Sequence, residues 1–173
     1  QIENEANLAR LPLSVMAIVV IGIRCGLRIG DVLSLPLDPL RQDSTGQHTL
    51  VYRNHKLDRE VALPVVHEDV VELIERQQGE VRSRFPDGCR WLFPRLTGNP
   101  DGQRHVPYPT LRGQLQEWLE SCGIVDSTGA PAHVTFHQFR HTFGTRLIES
   151  GASEHLVQRL MDHRNARSTR GYA

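Results

Sequence analysis

At 173 residues with 39% hydrophobic content, the chain is long enough to bury the core of one globular domain. Twenty Lys plus Arg balance twenty Asp plus Glu, so net charge points to no polyanionic partner. The three scattered cysteines (Cys25, Cys89, Cys122) suit a reducing cytoplasm rather than a disulfide framework or cysteine-based zinc site, and the longest apolar run, "LPLSVMAIVVIGI", is too short to span a bilayer.

In chain order, residues 12–25 read as a buried apolar helix begun at Pro12 and broken at Gly26. In "LRIGDVLSL", Leu27, Val32 and Leu35 stand at helical spacing and predict a short second helix ending before Pro36. "TLVYR" and "REVALPV" are β-rich and flank "NHKLD", which predicts a hairpin with Lys56 in or beside its turn. "HEDVVELIERQQGEVRSRF" is amphipathic at the helical period with acids in its first turn. "CRWLF" reads as a short extended piece among Pro-, Gly- and Asp-rich loops, and "TLRGQLQEWLESCGI" as a helix closed at Gly123. Thr135 is a good N-cap for a helix that runs through Ile148 to Gly151. Ser153 caps another, "EHLVQRLM", and residues around 166–172 form a last short helix or turn. The sum is an α+β chain, mainly helical, with a small antiparallel β-hairpin or sheet.

Charge is unevenly placed. Residues 135–173 carry six arginines against Glu149, Glu154 and Asp162, and four histidines with them. Nineteen of the twenty basic residues are Arg, and the exception is Lys56. Compositional bias accounts for the arginines but not for the exception. Arg keeps its proton near neutral pH, whereas Lys can be tuned to release one, so Lys56 is a candidate proton donor.

His133, His137 and His141 recur every four residues, a spacing that can bind zinc on a helix. The metalloprotease pattern needs Glu directly after the first histidine, where Gln138 stands, and the series holds no cysteine or carboxylate. We therefore expect no metal and read His141 as a hydrogen-bonded core or supporting histidine. His137 and Arg140, three apart, fall on one face or adjacent faces. A phosphodiester under attack needs its non-bridging oxygens clamped, a nucleophile, and a proton for the departing oxygen. Arg28, Lys56, His137, Arg140, His163 and Tyr172 are the residue types that fill these roles, with Tyr172 as the attacking hydroxyl.

"GLRIGDVLSL", the hairpin lysine, "HQFRHTFGTRLIESGA" and "LMDHRNARSTRGY", in that order, resemble the catalytic domain of the tyrosine recombinase (phage integrase) family over nearly the whole chain. The resemblance implies that Arg28 opens the site, with Asp31 as the acidic residue three positions on, and that Lys56 is the general acid. It matches the His-x-x-Arg box to His137 and Arg140, the next histidine to His163, and the nucleophile nine positions later to Tyr172. It implies double-stranded DNA as substrate, a 3′-phosphotyrosyl intermediate, a homotetramer on DNA, no metal or nucleotide cofactor, and a nucleoid-associated cytoplasmic protein. We expect residues 1–173 to be the catalytic domain alone, without the family's N-terminal DNA clamp and C-terminal tail. The rivals are a type IB topoisomerase, a catalytically silent DNA-binding relative, and a zinc hydrolase built on the histidine series.

Overall fold

A computed structural model describes residues 1–161 of the chain. Seven helices and three strands follow in the order α1 (Glu5–Leu8), α2 (Leu13–Cys25), α3 (Ile29–Leu33), β1 (Leu40–Gln42), β2 (His48–Asn54), β3 (Arg59–Val65), α4 (Glu68–Arg84), α5 (Tyr108–Ser121), α6 (Phe136–Glu149) and α7 (Glu154–Leu160). The expected last helix or turn near 166–172 lies outside the described residues.

α2 is the central helix. It is apolar all round, and Val15, Ala17, Ile18, Val19 and Ile21 are almost wholly buried, as such a helix requires. Pro12 sits at its N-cap, one position earlier than a first-turn proline. Its far end is closed by Gly26, whose φ of +63° is the left-handed cap that glycine supplies without strain. α6 lies so close that a Cβ on Gly22 would stand 2.7 Å from the Phe136 ring.

α3 is shorter than the apolar spacing suggests. Only five residues are helical, and Leu27 and Leu35, both buried, lie outside it on either side. The Leu35 carbonyl accepts from the Leu92 amide at 3.0 Å, and Pro36 forms a bridge with Trp91, which gives the "CRWLF" stretch its extended partner.

The sheet has three antiparallel strands in the order β1-β2-β3, one more than expected. β1 is too short and too polar for alternation to reveal it; Leu40 pairs with Leu50. Between β2 and β3, Leu50 pairs with Leu63 and Tyr52 with Val61, so one face of the hairpin supplies Leu50, Tyr52, Leu63 and Val65 to the core. The Asn54–Arg59 pair closes the hairpin over residues 55–58. Pro64 is tolerated because β3 is an edge strand.

α4 buries Val70, Leu73, Ile74 and Val81, together with two glutamines. Gln77 donates to the Leu92 carbonyl and Gln78 to the Leu37 carbonyl, each at 2.9 Å, so this face anchors two loops with side chains that a hydropathy pattern would place in solvent. α5 starts at Tyr108, behind Pro107, two residues before the expected start. The Trp118 indole donates to the Asn7 carbonyl at 2.7 Å and docks α1, a helix the sequence did not suggest.

Candidate active site

Arg28 is the N-cap of α3, in the short joint that follows Gly26. The chain turns out of α2 at Gly26 and into α3 at Arg28, and the arginine is half-buried. Its Nη1 is buried and has no hydrogen-bond partner among the described residues. A buried cationic nitrogen without an acceptor is costly and calls for an anion.

Arg140 is buried in α6, on a face shared with Phe136, Phe139 and Gly144. Its Nη1 donates to the Gly26 carbonyl at 2.5 Å, and its Nη2 donates to the Met161 carbonyl at the end of α7. One guanidinium thus joins α6, α7 and the α2–α3 joint. Arg140 is brought to the segment that carries Arg28, 112 positions away in sequence.

α6 begins where the sequence predicted. The Thr135 Oγ1 accepts from the Gln138 amide at 3.4 Å, and the Gln138 Oε1 accepts from the Thr135 amide at 2.6 Å. This capping box assigns Gln138, the residue that spoils the zinc-protease pattern, a structural task. His137 is exposed, one turn before Arg140. His141 is exposed as well, which corrects the core alternative of its expected role as a core or supporting histidine. Both follow a buried residue by one position (Phe136 and Arg140), and one helical step of about 100° carries them off the buried face. His133 turns to Gln116, with Nδ1 3.4 Å from Oε1. Among the described residues, no three His, Cys, Asp or Glu side chains come together as a metal site would require.

Lys56 is exposed in the hairpin turn. The Asn54 Oδ1 accepts from the Leu57 amide at 2.9 Å, Arg53 pairs with Asp58, and Asp58 takes a left-handed φ of +50°. Asp31, one turn into α3 from Arg28, is buried. Its Oδ1 accepts from the His55 amide at 3.1 Å and lies 2.9 Å from the His55 Nδ1. The sequence suggested a helix-dipole partner that could also support the site; in the structure its contacts go to His55, the residue next to Lys56. His55 itself was missed, and its signal is its place beside the single lysine. His163 and Tyr172 lie outside the described residues.

A separate cavity of about 630 Å³ opens between α2, α4, α5 and the segment around Phe93–Thr97. None of the expected site residues among the described residues lines it. No described helix is long and apolar enough to cross a membrane.

The chain is 34% identical over 168 residues to transposase B from transposon Tn554 of Staphylococcus aureus, covering 97% of this chain and 26% of that protein. It is 26% identical to the tyrosine recombinase XerC of Brucella suis, covering 90% of this chain and 44% of that protein. The chain therefore spans a quarter to a half of these relatives' length. Among solved structures, the XerH site-specific recombinase bound to difH substrate superposes with a TM-score of 0.75 at 18% identity, over 97% of this chain and 47% of that one. The Tn1549 transposon integrase in complex with a circular intermediate DNA superposes with a TM-score of 0.65. These are mainly helical folds with a small sheet, as here. Residues 1–173 match the phage integrase family end to end, and the chain belongs to that family, the tyrosine recombinases.

Proposed function

We propose that residues 1–173 form the catalytic domain of a site-specific recombinase that cuts and rejoins double-stranded DNA, acting on the chromosome or a mobile element in the cytoplasm. The observation that carries this reading is the buried Nη1 of Arg28, without a hydrogen-bond partner among the described residues, in the joint that Arg140 clamps at Gly26. A phosphodiester supplies the missing acceptor, and two guanidiniums stabilise the charge that builds on its non-bridging oxygens. His137, exposed one turn from Arg140, donates to the same oxygens with His163. The Tyr172 oxygen bonds to phosphorus as the bond to the 5′ oxygen breaks. Lys56 protonates that leaving oxygen, and the phenolic proton passes to a neighbouring base. The 3′-phosphotyrosyl bond conserves the energy for religation by a 5′ hydroxyl of the partner strand. Strand exchange then takes four copies, two for each duplex. No metal or nucleotide cofactor takes part. Likeness to a transposase and to tyrosine recombinases supports the substrate class.

The test is covalent trapping. A nicked duplex that loses its 5′ fragment on cleavage should leave a protein–DNA band that survives detergent, formed by the intact protein and absent in Tyr172→Phe. A band of unchanged intensity in Tyr172→Phe would remove Tyr172 as nucleophile.

A further inference from the structure

We infer that His55 is a positioning residue for Lys56, held in place by Asp31; this rests on the reading of Lys56 as the proton donor. His55 opens the turn over residues 55–58 and directly precedes the lysine. Its side chain is 58% exposed, yet through that ring and its backbone N–H the residue makes two contacts with a carboxylate that is 3% exposed. An ionised carboxylate only accepts, so the imidazole carries its proton on Nδ1. Asp31 therefore receives the backbone N–H and the ring N–H of one residue, which fixes that residue at two points.

Two other contacts act within the hairpin. The Asn54 side chain on the Leu57 amide and the Arg53–Asp58 pair set the turn's shape. The Asp31–His55 pair sets its place, because Asp31 belongs to the helix that starts at Arg28. The group that holds the phosphate and the group that protonates the leaving oxygen are thus joined through Asp31 and His55. A lysine side chain is long and flexible, and proton transfer needs the ammonium within hydrogen-bond reach of the oxygen. Anchoring the backbone one residue away narrows its search. A buried carboxylate also needs donors for its own sake. The backbone N–H would serve that need with any side chain at position 55, so the ring contact is what separates the two explanations.

The experiment measures single-turnover cleavage of two nicked duplexes, one with the ordinary 5′ oxygen at the scissile phosphate and one with sulfur in that bridging position. A thiolate leaves without a proton, so the sulfur substrate bypasses the acid. His55→Ala should cut the oxygen substrate about 10–100-fold more slowly, the scale of a misplaced catalytic group, and the sulfur substrate at nearly the parental rate. His55→Asn, whose amide can still donate to Asp31, should keep most of the oxygen rate. That outcome excludes His55 as the acid itself, because asparagine carries no transferable proton. A thermal melt of each variant records whether the fold is intact. Equal slowing on both substrates, no slowing on either, or failure of His55→Asn to rescue would each overturn the inference. Lys56→Ala run in parallel separates the two ideas. If sulfur rescues Lys56→Ala but not His55→Ala, the lysine keeps its role and the positioning role of His55 falls. If sulfur rescues neither, both fall.

Discussion

Arg140 donates to the carbonyl oxygen of Gly26 at 2.5 Å, two residues ahead of Arg28. The contact makes Arg140 a structural strut as well as a candidate phosphate ligand. It also accounts for the glycine: a Cβ on Gly26 would stand 2.3 Å from the Phe143 ring of the same helix, α6.

Arg140→Lys should destabilise the domain. A lysine's single ammonium cannot span the Gly26 and Met161 carbonyls that the guanidinium bridges, and a buried carbonyl is left without its donor. The expected loss is about 2–3 kcal/mol, read as a lower midpoint in urea unfolding with an unchanged slope. Covalent trapping should fall in the same variant.

Gly26→Ala should cost roughly 1–3 kcal/mol, from a left-handed backbone and from overpacking against Phe143. Adding Phe143→Leu should return part of the loss but not the backbone share, so the two changes will not be additive. Gly79 gives the contrast. It lies exposed within α4 with nothing near its missing Cβ, and Gly79→Ala should stabilise by about 0.5–1 kcal/mol. Thermal melts of the four proteins test the set.

Glu3 ties the start of the chain to α6. Its two carboxylate oxygens face the Arg146 guanidinium at 3.0 and 2.5 Å, and Arg24 lies 3.5 Å away. The hydrogen bond from Arg146 holds the Glu3 carboxyl below the ordinary carboxylate range, against the opposing effect of partial burial. Because the folded value is depressed, the pair's stabilisation is complete above the unfolded value and is lost as pH falls through the folded one. Both side chains are more than a third exposed, so solvent screening keeps the effect small. Glu3→Gln should lower stability by only about 0.5 kcal/mol at neutral pH. The difference between the two proteins should close below pH ~4 and shrink in high salt. A difference that persists once the pH is below the folded value of Glu3 would contradict the assignment.

Burial pushes the Cys25 thiol up to about 12, with a smaller push from the Asp69 carboxylate. Cys89 and Cys122 are half-buried. In a thiol titration with an aromatic disulfide at pH 8, the folded protein should show two reactive thiols, and the denatured protein three. Cys25→Ser should leave the folded count unchanged.

The long elements were legible in the sequence because their information is local. The apolar run of α2, the alternation of β2 and β3, the Thr135 cap of α6 and the Ser153 cap of α7 each follow from neighbouring residues. The order of Arg28, Lys56, His137 and Arg140 was legible too, since a family's spacing is written along the chain. The tertiary structure decided the rest. Leu27 and Leu35 mimic a longer helix because buried residues outside the helix satisfy the same spacing. His137 and Arg140 share a helix, yet packing against α2 buries one and exposes the other. The strut from Arg140 to Gly26 and the clamp from Asp31 to His55 join residues far apart in sequence, and no local pattern encodes them. Hydrophobic periodicity records which face of an element is buried. Which polar atoms meet there depends on how the elements are brought together, and that is where the chemistry of this chain was decided.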